Sequence, residues 1–83
     1  MKCTASDMVK VIKRNMEVRV VDLKPEQNLI VAIIACAVID LADASYRRSA
    51  LRFFDDELFD IYCNMVSLNP VTTRQLLVQG GFL

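Results

Sequence analysis

A chain of 83 residues has room for one core, and ten basic against ten acidic side chains leave it with no net charge. That balance argues against affinity gained by neutralising phosphates, and the absence of histidine removes the usual base of a Ser/His or Cys/His pair. An apolar fraction of 54% is high for this size, so either the core is dense or part of the surface is completed by a second copy or a partner.

Ser6 or Asp7 is placed to cap a first helix running to about Asn15, with Met8, Val11 and Ile12 inward and Lys10, Lys13 and Arg14 outward. From Met16 to Asp22 two forms fit. Glu17-Val18-Arg19-Val20 alternates like a strand, whereas Met16, Val20 and Leu23 repeat like a helical stripe. Residues 1–24 therefore form an N-terminal segment to which the pattern assigns no single structure.

Pro25 marks a sharp boundary, since it suits the first position of a helix, and Glu26 follows where acidic charge meets the helix dipole. The spacing predicts a helix from Pro25 to about Ala44, built on the run Leu29 to Ile39, whose only non-hydrocarbon side chain is Cys36. A helix apolar on every side must be enclosed by other elements, and this run is well short of the roughly 20 residues that span a bilayer. Projected at about 100° per residue, Glu26, Asp40 and Asp43 share a sector with Leu29, Ile33 and Cys36. An 83-residue chain supplies only about four other elements to cover the post, so this sector is the one expected to stay open. The sequence points to self-association there as a homodimer, through Leu29, Ile33, Cys36 and Asp40, with the Arg47/Arg48 pair or the lysines of the first helix as partners for the acids. The alternative is that the first helix folds over the sector within one chain.

Asp43 or Ser45 can cap a third helix, Tyr46 to Phe54, with Arg47, Arg48 and Arg52 on one side and Leu51 and Phe54 on the other. Asp55, Asp56 and Glu57 suit the start of a fourth, along which Leu58, Ile61, Tyr62, Met65 and Leu68 repeat at three- and four-residue intervals. Asn69-Pro70 restarts a fifth helix, Val71 to Gln79, which Gly80-Gly81 ends. The expected fold is an all-α, single-domain bundle of four to five helices around the Pro25–Ala44 post.

Little here carries covalent chemistry. No glycine-rich loop precedes a helix, and Asp55, Asp56, Glu57 and Asp60 lack the alternating spacing of a calcium loop, so a helix start explains them better. Cys3, Cys36 and Cys63 have no zinc-site spacing; Cys36 and Cys63 fall on apolar helix faces and are expected to be buried, reduced thiols. No catalytic, cofactor-binding or metal-binding residue is expected. Arg47, Arg48 and Arg52 suit either phosphates or, more plainly, a solvated face paired with Asp55 and Asp56 at helical spacing. The odd cysteine count and an N-terminus without the apolar stretch of a secretory signal point to a reducing cytoplasm, with no membrane span.

One constellation has a specific reading. Phe59 to Leu77 is a helix, a break at Ser67-Leu68-Asn69 and a second short helix, the spacing of a helix-turn-helix. Cys63 stands where a small residue suits the crossing, Ser67 where glycine is usual, and Val66, Leu68 and Leu76 give apolar contacts. Its outward candidates for DNA contact are Val71, Thr72, Arg74 and Gln75, with Arg47, Arg48 and Arg52 on the preceding helix. Thr73 at a usually apolar position and a single positive charge on the last helix argue against that use.

The residues Arg47-Arg48-x-Ala50-x-x-Phe53, Phe59-x-x-Tyr62-Cys63 and Leu68-Asn69-Pro70 with Arg74 and Leu77 resemble a group of small phage and prophage proteins. There a similar Arg/Ala/Phe helix precedes an acidic turn, a Tyr/Trp-Cys pair and a Leu-Asp-Pro start to the last helix. The likeness covers roughly the C-terminal half, with Asn69 in place of the common Asp. It implies a helical fold and a phage or mobile-element origin in a bacterial host, and it assigns no catalytic residue, the group having no settled activity. The expected function is thus a non-enzymatic phage or prophage accessory protein that binds a host or phage protein as a homodimer. The alternative is a small helix-turn-helix DNA-binding regulator.

Overall fold

Most of the helices begin where local chemistry satisfies their first amides. The computed structural model describes residues 4–16 and 23–83 and forms α1 (Ala5–Arg14), α2 (Pro25–Leu41), α3 (Arg47–Asp55), α4 (Glu57–Met65) and α5 (Pro70–Gln79). All secondary structure among the described residues is helical, as the periodicity predicts. The choice between strand and helical stripe falls on residues 17–22, which lie outside the described residues.

The cap of α1 is Thr4, two residues before Ser6 and three before Asp7. Its hydroxyl accepts the Asp7 amide at 3.1 Å and the Asp7 carboxylate accepts the Thr4 amide; hydrogen bonding with the Thr4 side chain first, and with its backbone second, holds that carboxyl below its ordinary range. Asp56 caps α4 and Asn69 caps α5. Neither Asp43 nor Ser45 caps α3. Tyr46 precedes it with no side-chain bond, while the Asp43 carboxylate accepts the Ser45 amide inside the turn. That turn also shortens α2, which ends at Leu41 rather than Ala44.

Side chains from other elements close several carboxyl ends. Arg47 donates to the Leu41 carbonyl at the end of α2, Arg74 to Phe54 in α3, and Gln27 to Met65 at the end of α4. A helix leaves its last carbonyls without partners, so each bond satisfies a group that would otherwise need water. The last turns of α4 and α5 close differently. Leu68 N–H returns to Cys63 O at 2.8 Å and Phe82 N–H to Leu77 O at 2.8 Å, each across a residue of positive φ, Ser67 at 57° and Gly81 at 83°.

The core gathers Val38 and Leu41 of α2, Phe54 of α3, Phe59 and Cys63 of α4, and Leu77 of α5. Phe54 and Phe59 meet edge to face at 4.9 Å, and Phe53 joins both rings. This cluster decides which side of α4 turns inward. Of the expected stripe, Leu58, Ile61 and Met65 lie outside while Tyr62 is half-buried and Leu68 buried, because Phe59, Cys63 and Val66 form a second stripe that meets the rings. In α3 the same packing buries Ala50 instead of Leu51. Thr73 is wholly buried, its hydroxyl bonded to Asn69 O at 2.8 Å, so it packs as a β-branched hydrophobe would.

Candidate functional site

The post is not enclosed. Its core stripe is Ile30, Ile34, Ala37, Val38 and Leu41. On one flank α1, with Met16 just after it, brings Val9, Ile12 and Met16 to Val31, Ile34 and Val38. The opposite flank faces α3, which is joined to α2 by the turn 42–46 and runs back along it. Between the two helices lies a groove lined by Leu29, Ala32, Ile33, Cys36, Ala37 and Asp40 of α2 and by Ser49, Ala50 and Phe53 of α3. Leu29 in the groove is 63% exposed. The first helix therefore does not cover the sector of Leu29, Ile33 and Cys36.

The small side chain of Ala50 lets α3 sit close against α2, and Phe53 forms part of the wall while its ring stays in the aromatic cluster. Cys36 is exposed, against the expectation of a buried thiol, because its position on the helix turns toward the groove rather than the core. Cys63 is buried, and desolvation lifts its thiol above the ordinary 9.0 to about 12.

The grooved side brings together all four residues expected to form the contact, Leu29, Ile33, Cys36 and Asp40. It adds Ser49, Ala50 and Phe53, which periodicity within α2 cannot reveal. The groove's one acid is Asp40; Arg48 and Arg52 are exposed on α3 and do not line it. Among the described residues none of these three has an ion-pair partner, and no pair links Arg48 or Arg52 to Asp55 or Asp56. The acids that follow α3 have other roles: Asp56 caps α4, and Asp60 meets Arg74.

The other candidate surface is the α4–α5 pair. Val71 and Gln75 are exposed and Thr72 half-buried, as a recognition helix requires. Arg74 is not free to face outward. Its Nε donates to Phe54 O at 2.9 Å, its Nη2 lies 2.6 Å from Asp60 Oδ1, and its guanidinium covers the Phe59 ring at 4.9 Å. Arg47 is likewise held, at the Leu41 carbonyl. Of the seven residues named for DNA contact, the two arginines with defined partners thus point into the chain. The sequence shows both cations but not which carbonyls they meet, since those lie 6 and 20 residues away.

Among the described residues no cluster of Cys, Asp or Glu converges in a way that holds a metal ion, and no helix is long and apolar enough to cross a membrane. Compared with known protein families, with curated proteins and with solved structures, the chain finds no match in any of the three.

Proposed function

We propose that this chain is a non-enzymatic protein-interaction module that works as a homodimer through the open side of α2. The observation that carries this reading is the strip of exposed Leu29, Ala32 and Cys36 with half-buried Ile33, on the side of α2 opposite its buried stripe. Apolar surface of that kind, edged by charge, is what an association site offers. A two-fold pairing is the commonest way for identical chains to bury it. The resemblance of the C-terminal half to small phage and prophage proteins supports an accessory role in that setting, with a host or phage protein as the eventual partner.

The DNA-binding alternative has less to rest on. The single cation of α5, Arg74, spends its donors on Phe54 and Asp60, and the helix offers no other. Light scattering at tens of micromolar tests the main reading. A mass of two chains is the expected result, and a folded monomer overturns it.

A further inference from the structure

The outer side of α4 is apolar and its surroundings are acidic. Leu58, Ile61 and Met65 follow one another at three- and four-residue spacing and are each nearly half exposed, so they form a line along the helix. Glu57 stands one turn before Ile61 on the same face, next to Asp55 and Asp56, and all three acids are exposed. From residue 53 to residue 73 the chain holds four acids and no base. Arg74 answers one of them, Asp60. Among the described residues no ion pair joins Asp55, Asp56 or Glu57 to Arg52 or to any other base.

Local structure accounts for part of this charge and for none of the stripe. Asp56 caps α4 and Glu57 suits its dipole, but Asp55 is the last residue of α3, where the dipole disfavours an acid. The stripe has no role in the core, since Phe59, Cys63 and Val66 anchor α4 from its other side.

We infer that this face receives an amphipathic helix of another protein, basic at the end that meets Asp55, Asp56 and Glu57. Charge decides the occupant. Three acids without basic partners repel phosphate, which excludes nucleic acid and an anionic membrane surface. A second copy does not fit either. Its α4 brings acids and no base, and its basic helix, α1, has Met8 and Ile12 buried in its own core. A partner helix with Lys or Arg at one end answers the acids, while apolar residues at three- and four-residue spacing cover the line. The nine residues of α4 extend about 14 Å, so the contact is small and the complex weak and reversible. Leu58, Ile61 and Met65 line no part of the α2–α3 groove, so this contact is independent of the homodimer.

Calorimetric titration of the full chain with a synthetic helix of about 14 residues, leucine on one face and lysine on the other, tests the assignment. The parent should bind it with a Kd of about 10–100 μM, weakening several-fold between about 50 and about 200 mM salt. The same peptide with glutamate in place of lysine should not bind. Ile61→Gln should weaken binding about tenfold, and Glu57→Gln with Asp55→Asn about fivefold while flattening the salt dependence. Leu29→Gln, in the groove, should leave binding unchanged, and circular dichroism should show every variant folded. No binding by the parent, or equal binding of the glutamate peptide, overturns the inference. Loss in Leu29→Gln in place of Ile61→Gln moves the contact to the groove and overturns it as well. Sedimentation equilibrium covers the remaining occupant, because a parent dimer that dissociates in Ile61→Gln puts a second copy on α4. A parent that sediments as a monomer yet binds the lysine peptide through Ile61 overturns the homodimer reading alone.

Discussion

Arg74 binds the carbonyl of Phe54 across 20 residues of sequence and so ties the last helix to the end of α3. The same guanidinium meets Asp60 and covers Phe59, so one side chain joins α3, α4 and α5 around the aromatic cluster. Arginine suits this position because its planar fork gives several donors at fixed angles, which lysine lacks.

Replacing Arg74 with Lys should cost about 1 kcal/mol, the lower range for a charge-assisted hydrogen bond because the side chain is 31% exposed. In a domain of this length that lowers the melting temperature by about 4–8 °C. Thermal denaturation followed by circular dichroism reads the change. An unchanged transition, together with loss of salt-sensitive binding to random duplex DNA, would instead assign Arg74 to a nucleic-acid surface.

Boundaries were legible wherever the chain carries chemical punctuation. Pro25, Asp56 and Asn69-Pro70 set their helices in the structure as their side chains predict. The inward face of α4 was not legible, because Leu58/Ile61/Met65 and Phe59/Cys63/Val66 are overlapping stripes of similar hydrophobicity. What selects the second is contact with Phe53 and Phe54, a tertiary fact. The open sector of α2 could be read from the sequence because acids mark it. Its far wall could not, since Ser49, Ala50 and Phe53 join the groove only when the turn 42–46 folds α3 back.

Ser67 sits at φ 57°, in the left-handed region, where it closes α4 and starts the turn to α5. A side chain there meets the neighbouring carbonyl, and glycine does not. Ser67→Gly should therefore stabilise the fold by about 0.5–1 kcal/mol, after allowing for the greater freedom of glycine in the unfolded chain. A rise of several degrees in the melting temperature is the expected outcome, and a fall would show that the hydroxyl has a role of its own.

Asn69 accepts the Thr72 amide at 3.1 Å through its side chain. Asn69→Ala should cost about 0.5–2 kcal/mol, while Asn69→Asp should keep the cap and add charge favourable to the helix dipole. Urea denaturation of the two variants separates the readings. Equal loss in both would mean that the amide, and not the acceptor oxygen, matters.

Cys36 and Cys63 should separate cleanly in a labelling experiment. Cys36 is exposed on the groove and should alkylate in the native protein, more slowly once the groove is occupied by a second copy. Cys63 is fully buried and its thiol is raised to about 12, so below that pH it stays protonated and should label only when the chain unfolds. The same shift gives an alkaline dependence of stability. Unfolding releases the thiol to its ordinary 9.0, so above that value the unfolded chain sheds a proton that the folded chain keeps. The unfolded state then binds fewer protons, and stability falls as pH rises from about 9 toward 12. Cys63→Ala should flatten this limb while lowering stability at neutral pH, because it leaves a small void between Phe59 and Val66. Peptide mapping by mass spectrometry after brief alkylation reads the first half of the prediction. Melting temperatures of parent and Cys63→Ala between pH 7 and 11 read the second, and an alkaline limb identical in both would show that another group is responsible.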